Sequence, residues 1–177
     1  MLFRHQKNYG STYKQGENLQ AANEDLLTSP YFIEIGGKEP RYYQQLAVNR
    51  IIEAIARGQK RCLLVIATGA GKTYTVFNII WRLWKTKVVK RVLFLADRNA
   101  LVDQTITNDF RPFGEVMTKL DSRLVDNQTG RINTSYEIYL GLYQAIIGNR
   151  PLAKVVAGVL WSLEKGARSP VFCDCHA

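Results

Sequence analysis

The sequence has few cysteines and no long apolar stretch, and both absences exclude classes of protein. Three cysteines, Cys62, Cys173 and Cys175, are too few for the disulfide framework of a small secreted domain. No stretch approaches the roughly 18 uninterrupted apolar residues of a membrane span, and residues 1–10 lack the apolar core of a signal peptide. We therefore expect a soluble, cytoplasmic protein that contacts no membrane, with Cys62 as a small core residue.

Acidic residues are also scarce. The 177 residues include 24 Lys and Arg against 15 Asp and Glu, which gives a formal net charge of +9. Between Arg57 and Arg98, Asp97 is the only acidic residue. The basic residues in this stretch are Arg57, Lys60, Arg61, Lys72, Arg82, Lys85, Lys87, Lys90, Arg91 and Arg98. This excess favours a polyanionic partner such as nucleic acid. A solvated basic face is the alternative.

The most informative stretch joins an apolar run, Cys62 to Ala67, to a segment of helical periodicity that begins at Lys72. The order strand, glycine turn and helix is typical of a phosphate-binding loop, formed here by Thr68, Gly69, Ala70 and Gly71. Lys72 would then contact the β- and γ-phosphates of ATP, and the Thr73 hydroxyl would bind Mg²⁺. An ordinary turn with Lys72 and Thr73 at the surface is the alternative.

A second helix is predicted upstream, from Tyr43 to Arg57, because Val48, Ile51, Ile52 and Ile55 recur at helical spacing and Gly58 follows. Polar residues stand at its entrance. The amide of Gln44 matches the donor and acceptor groups on the edge of adenine, and the Arg41 guanidinium can stack on the ring. A polar helix start without a ligand is the alternative.

The remaining pattern predicts an α/β fold. The helix after the glycine turn has a core stripe of Val76, Ile79, Ile80, Leu83 and Trp84. A second apolar run, Val92 to Ala96, follows it, and two such runs separated by a helix predict a βαβ unit in a parallel sheet. We also expect a helix start capped by Asp97 or Asn99, a short strand around Val116 to Leu120, an aromatic strand that begins after Ser135, and an amphipathic helix from Leu152 to Leu163.

Three of these stretches resemble one family. A-T-G-A-G-K-T resembles motif I of superfamily 2 helicases and translocases, although Ile66 occupies the first glycine position of the strict G-x-x-x-x-G-K-[ST] pattern. R-Y-Y-Q-Q resembles the adenine-reading Q motif of the same enzymes. L-F-L-A-D-R-N-A-L-V-D-Q resembles motif Ia and points to the R (motor) subunits of type I restriction enzymes.

The resemblance implies a P-loop, RecA-like fold in which helices flank a parallel sheet. This fold would be the first helicase lobe, in incomplete form. It implies ATP and Mg²⁺ as ligands, duplex DNA as a partner, and the modification and specificity subunits of a restriction complex. The residues carried over to DNA contact are Arg98, Gln104 and Gln144. The similarity covers Lys38 to about Gly148. We expect a flexible arm, or the remnant of an upstream domain, at residues 1–37 and the helicase lobe at residues 38–177.

The sequence departs from the family near its end. Motif II should read Asp-Glu-Cys-His, but the chain reads C-D-C-H, which places Cys173 at the Asp position and Asp174 at that of the catalytic Glu. A metal site formed by Cys173, Cys175 and His176 is the alternative. Three functions remain open: a fragment of a DNA motor that uses Lys72 and Asp174 in ATP hydrolysis, a nucleotide-dependent DNA-binding module without turnover, and a small-molecule P-loop kinase, which Ile66 disfavours.

Overall fold

The computed structural model describes residues 21–33, 37, 39–59, 61–96, 99–120, 135–142, 144 and 174–175. The chain divides into two compact units, Met1–Val88 and Val89–Ala177. The described part of the first unit is helical, and the second contains a sheet.

The first unit has three described helices, α1 (Ala21–Thr28), α2 (Tyr42–Ala56) and α3 (Lys72–Lys85). Helices α2 and α3 confirm the two helices predicted from periodicity. Helix α2 ends just before Gly58, whose φ of 84° lies in the left-handed region that favours glycine. The apolar core of the unit consists of Leu26, Val48, Ile52, Ala56, Val76, Phe77, Ile79, Ile80 and Leu83.

Helix α1 was not expected, because its eight residues are too few to show a helical period. It is nevertheless anchored. Leu26 is fully buried, and the buried Ser29 donates from its hydroxyl to the Leu26 carbonyl at 2.8 Å. Residues 21–33 are therefore part of the packed first unit, although the sequence showed no pattern there.

The buried Arg82 joins the three helices. Its Nε donates to Ser29 Oγ at 2.9 Å, and one Nη donates to Asn49 Oδ1 at 2.8 Å. The other Nη donates to the carbonyls of Leu26 and Leu27 at 3.0 and 2.9 Å. These carbonyls end α1, where a helix carries partial negative charge, so the guanidinium acts as a cap for α1.

Two predictions for α3 are wrong. Arg82 was counted with the surface bases that face a polyanion, yet it is 1% exposed, and this burial lowers its pKa despite the opposing effect of Tyr31. Trp84 was assigned to the core but is half-buried. The Lys85 and Lys87 ammonium groups lie 5.2 and 5.0 Å from the centre of the Trp84 ring, so this end of α3 presents aromatic and cationic groups together.

The second unit confirms the predicted α/β class and the parallel sheet. It contains β1 (Val92–Ala96), α4 (Asn99–Thr107), a 3-10 helix (Arg111–Val116), β2 (Met117–Lys119), β3 (Ile138–Leu142) and β4 (Asp174–Cys175). The strand order is β2-β3-β1-β4, and every pair is parallel. In β1 and β3, Val92 pairs with Ile138 and Ala96 with Leu142, so both strands end at the same edge of the sheet.

The core of the second unit lies around β1 and β3. Strand β1 is paired on both sides, and Leu93 and Phe94 are almost completely buried. The rings of Phe94 and Phe110 lie 5.2 Å apart, and Phe113 packs on Phe110 at 5.4 Å. In β3, burial raises the pKa of the Tyr139 hydroxyl. The sheet is thus held by backbone pairing and apolar packing.

The first apolar run does not form the predicted strand. Residues 61–67 have no regular secondary structure, and Leu63 and Val65 are 89% and 84% exposed. Cys62, expected in the core, is also exposed, although partial burial raises the pKa of its thiol. The physical reason is that ladder hydrogen bonds require a neighbouring strand, and none of the described strands pairs with this run.

Some predicted features lie outside the described residues: residues 1–20 of the arm, Arg98, the helix from Leu152 to Leu163, Cys173 and His176. Within the described ranges, none of the helices has the length and apolarity that crossing a membrane requires.

Candidate nucleotide-binding site

The glycine turn combines two left-handed residues with the start of a helix, an arrangement that can bind an anion. Gly69 and Gly71 have φ values of 79° and 82°, in the left-handed region where a side chain is strained. Helix α3 begins immediately afterwards at Lys72, with Gly71 as its N-cap and no side-chain hydrogen bond at that cap. The N–H groups in the first turn of such a helix can bind an anion. The predicted turn and helix are therefore confirmed as structure.

Gln44 contacts this turn from the start of α2. Its side-chain nitrogen donates to the carbonyl oxygens of Ala70 and Gly71 at 3.0 and 3.3 Å. Its side-chain oxygen accepts from the backbone N–H of Arg41 at 2.9 Å. Gln44 is 5% exposed, so the site is assembled partly inside the unit. The structure thus brings the predicted base-reading residue and the predicted phosphate loop together.

Backbone conformation and crowding both favour glycine at position 71. A Cβ added to Gly71 would collide with the amide nitrogen of Gln44, in addition to the strain of a positive φ. At Gly69, by contrast, an added Cβ would meet nothing within 4 Å. Backbone conformation therefore favours glycine at positions 69 and 71. The close approach of Gln44 is a second constraint, and it acts only at Gly71.

Tyr43 is a further contact that the sequence interpretation did not assign. Its hydroxyl donates to the Ala70 carbonyl at 3.1 Å and accepts from the Arg41 guanidinium at 3.3 Å. The adjacent Tyr42 is 82% exposed and meets the Tyr43 ring edge-on, with centroids 5.6 Å apart. The tyrosine pair in R-Y-Y-Q-Q was visible in the sequence, but nothing there indicated which hydroxyl reaches the loop.

The loop itself is accessible. Thr68 and Gly69 are exposed, whereas Lys72 and Thr73 are half-buried at the start of α3. Gln44 directs its amide nitrogen at two loop carbonyls, so the donors expected to meet adenine are used within the chain. Its oxygen accepts one hydrogen bond, from the Arg41 N–H, and has a second lone pair. The site can offer backbone N–H groups, one Lys ammonium and one Thr hydroxyl to an anion and its metal ion.

The predicted DNA-contacting positions belong to the second unit. Gln144 is exposed and follows β3, and Gln104 lies within α4, which begins three residues after β1 ends. Because β1 and β3 are parallel, Gln144 and the start of α4 follow strand ends at the same edge of the sheet. Polar groups at this edge are in the usual position for ligand contacts in an α/β sheet.

Asp174 lies on β4, where it pairs with Leu95 of β1. The candidate catalytic position is thus on a strand next to the central strand of the second unit. No group of three or more His, Cys, Asp and Glu side chains that could hold a metal ion occurs in the described part of the chain.

Basic and aromatic side chains meet at the far end of α3. The Lys85 ammonium lies 4.9 Å from the centre of the Trp81 ring and also contacts the Trp84 ring. A 14-residue helix is about 20 Å long at 1.5 Å per residue, so these groups are distant from Lys72. The basic surface of α3, formed with the aromatic rings by Trp81, Trp84, Lys85 and Lys87, is therefore separate from the end of the helix that begins at Lys72.

Comparison with known proteins identifies the family. The family model described as "Type III restriction enzyme, res subunit" matches residues 37–168. The EcoAI endonuclease subunit, a type I restriction enzyme subunit from Escherichia coli, is 58% identical over 123 residues, which cover 70% of this chain and 14% of that protein. No solved structure matches the chain.

More distant relatives match less of the chain. The EcoKI endonuclease subunit from Escherichia coli K12 is 40% identical over 91 residues, covering 51% of this chain and 8% of that protein. The UvrABC system protein B of Methanosarcina acetivorans is 35% identical over 85 residues, covering 48% and 12%. The chain therefore spans a small fraction of each of these relatives.

Proposed function

This chain belongs to the family described as type III restriction enzyme, res subunit, and we propose that it forms the ATP-binding part of a DNA motor within a type I restriction endonuclease subunit. The observation that carries the proposal is the contact of Gln44 and Tyr43 with the Ala70–Gly71 turn. It unites a base-reading segment and a phosphate loop that are 26 residues apart. A simple surface turn would not need this contact.

Different residues bind the phosphates, the magnesium ion and the base of ATP in this proposal. Backbone N–H groups of the glycine turn and the first turn of α3 hold the phosphates, and Lys72 adds a positive charge to the β- and γ-phosphates. Thr73 contributes a hydroxyl to Mg²⁺, which neutralises phosphate charge when bound. Arg41 and Gln44 face the base, where Gln44 uses its remaining lone pair. The sequence A-T-G-A-G-K-T and the open loop geometry support this assignment.

The proposed motor would contact DNA through the second unit as well as through its basic surface. Arg98, Gln104 and Gln144 are the candidate contacts, and the shared edge of β1 and β3 supports the last two. In the cell the subunit would work in the cytoplasm with modification and specificity subunits. The modification and specificity subunits are implied by the family resemblance, and the word subunit in the names of the EcoAI and EcoKI relatives supports a multi-subunit complex.

A second candidate function is nucleotide-dependent DNA binding without turnover. It is favoured by Cys173, which replaces the Asp that would hold Mg²⁺, and by Asp174 in place of a longer Glu. Replacements of this kind weaken stabilisation of the transition state, so ATP binding would survive while the rate of ATP hydrolysis would fall. Phosphate release with saturating DNA, measured beside Lys72→Ala, separates the two functions.

Replacement of Lys72 tests the nucleotide site directly. Lys72→Ala removes charge-assisted contacts worth about 1.5–3 kcal/mol, so affinity for a fluorescent ATP analogue should fall by about tenfold to a hundredfold. Lys85→Ala is the matched control, because it removes an exposed Lys from the far end of the same helix. Equal affinity of Lys72→Ala and the parent chain would refute the nucleotide site.

The DNA part of the proposal has its own measurement. If Lys and Arg side chains neutralise phosphates, duplex binding should be independent of sequence and should weaken with salt, with a log–log slope of about −0.9 per phosphate contact. Fluorescence anisotropy with two unrelated duplexes at several salt concentrations gives this slope. An affinity that does not change with salt would contradict DNA binding through the basic surface.

A further inference from the structure

We infer that the Tyr43 hydroxyl is a positioning group that orients the phosphate loop and links it to the base-facing Arg41. This inference rests on the proposed nucleotide site and adds a residue to which neither the motifs nor the relatives assign a role. Its basis is one hydroxyl with two partners: the Ala70 carbonyl at 3.1 Å and the Arg41 guanidinium at 3.3 Å.

The first step concerns the peptide unit between Ala70 and Gly71. In a trans peptide the C=O and the N–H point in opposite directions, and the chain has no cis peptide in its described residues. Tyr43 and Gln44 both donate to the Ala70 carbonyl and so fix its direction. The N–H of Gly71 is thereby directed to the opposite side, away from α2. A phosphate that binds this loop needs that N–H in a defined direction.

The second step concerns the conformational freedom of the loop. Gly69 and Gly71 have no Cβ, so the turn between them can adopt many backbone conformations. Within the turn, the Ala70 N–H donates to the Ala67 carbonyl at 3.2 Å. The Gly71 carbonyl accepts from the backbone N–H and the hydroxyl of Thr75, both at 3.0 Å, which ties Gly71 to α3. The Ala70 carbonyl is held by the two side chains of α2. Holding the loop in advance lowers the entropy that ligand binding must otherwise cost.

The third step concerns the base. A tyrosine hydroxyl has one hydrogen to donate and can accept from another donor, and both functions are used here. Because the hydrogen goes to Ala70, the oxygen is turned toward the Arg41 guanidinium. Arg41 is exposed and otherwise has many rotamers, so this bond limits its positions. One hydroxyl therefore couples the position of Arg41 to the direction of a loop peptide.

Tyr43→Phe tests the inference, because it removes only the oxygen and keeps the ring. Loss of one hydrogen bond worth about 0.5–1.5 kcal/mol should weaken binding by about twofold to tenfold. We expect this loss with inorganic tripolyphosphate, which has no base, and a larger loss with ATP, because Arg41 is also released. Both ligands are measured by competition against a fluorescent ATP analogue. Tyr42→Phe is the matched control, because it removes the hydroxyl of the exposed neighbour.

The possible outcomes separate the inference from the proposed function. If Lys72→Ala weakens binding while Tyr43→Phe binds both ligands as the parent does, the role of Tyr43 is refuted and the site stands. If Lys72→Ala binds as the parent does, the site itself fails. A loss with ATP alone would refute the orientation of the loop. A fall in melting temperature of Tyr43→Phe with no change in either affinity would show a merely structural hydroxyl and would also overturn the inference.

Discussion

Two apolar runs in this chain have similar compositions and opposite environments. Residues 62–67 read C-L-L-V-I-A, are largely exposed and form no strand, whereas β1 reads V-L-F-L-A and is paired on both sides. Leu63 is 89% exposed and Leu93 is 2% exposed. Apolar composition therefore identifies a segment that can form a strand. Whether it does so depends on neighbours that supply ladder hydrogen bonds and cover both faces.

The two units also differ in what holds them together. In the second unit, parallel backbone pairing aligns β1, β2 and β3. In the first, side-chain hydrogen bonds join the helices: Arg82 reaches α1 and α2, and Tyr31 donates to Asn49 Oδ1 at 2.7 Å. Side-chain bonds depend on single residues, whereas a ladder is spread over the backbone. Point substitutions should therefore act more strongly on polar residues in the first unit than in the second.

The largest effect is expected for Arg82→Ala. It removes the donors of four hydrogen bonds and the packing of a side chain that is 1% exposed. The Leu26 carbonyl and Asn49 Oδ1 keep Ser29 and Tyr31 as donors, so the lost bonds are not additive, and we expect a loss of about 3–5 kcal/mol in the free energy of unfolding. Part of the gross loss is offset, because burial already disfavours the charged guanidinium. Tryptophan fluorescence during urea unfolding gives the value, since Trp81 and Trp84 lie in this unit.

Arg50→Ala is the control for that measurement. Arg50 lies on α2 with a 69% exposed side chain and pairs with Glu53 at 3.7 Å. Glu53 is 12% exposed but keeps Arg57 at 2.7 Å, so removal of the exposed Arg50 should cost only about 0.2–1 kcal/mol. If both variants lose equal stability, side-chain bonding by Arg82 does not hold the first unit together.

An intermediate effect is expected for Leu93→Ala in β1. Removal of a buried leucine side chain leaves a cavity and should cost about 2–4 kcal/mol. The same change at Leu63 should alter stability by less than about 0.5 kcal/mol, because that side chain is already in water. Circular dichroism during urea unfolding measures both variants. A loss at Leu63 equal to that at Leu93 would show that the first run is buried in solution.

The sequence predicted the elements whose signals are local and long. Helices α2 and α3 have several turns of apolar spacing, and β1, β2 and β3 occur where short apolar runs follow turn signals. It did not predict α1, which has only two turns, or the exposure of residues 62–67, which depends on distant neighbours. The burial of Arg82 was not predicted either. Its charge suggested a surface position, whereas its place in the helix puts it on the core face of α3.

The candidate site shows the same division. The glycine turn and the helix after it followed from a motif, because the chemistry of phosphate limits which residues can serve. Gln44 was predicted to read adenine, and its bonds to the Ala70 and Gly71 carbonyls were not predicted. The contact from Tyr43 to Ala70 could not be predicted, since Tyr42 and Tyr43 are adjacent and equivalent in the sequence. Only the rotation of α2 about its axis determines which hydroxyl faces the loop.

The smallest effect on stability is expected for a substitution at Cys62. The reactivity of this cysteine also tests whether the first apolar run, residues 62–67, is exposed. Since Cys62 is exposed, Cys62→Ser should change the free energy of unfolding by less than about 0.5 kcal/mol. Its thiol should nevertheless react with Ellman's reagent in the native chain, and the reaction of the Cys62→Ser variant should be smaller by one equivalent. Partial burial raises the pKa of this thiol, so the thiolate forms at higher pH than for a free cysteine, and labelling at Cys62 should accelerate over a correspondingly higher pH range. Comparing parent and variant at each pH isolates Cys62 from Cys173 and Cys175. Protection of Cys62 until the chain unfolds would mean that the two runs do not differ, and that residues 62–67 acquire a covering neighbour in solution.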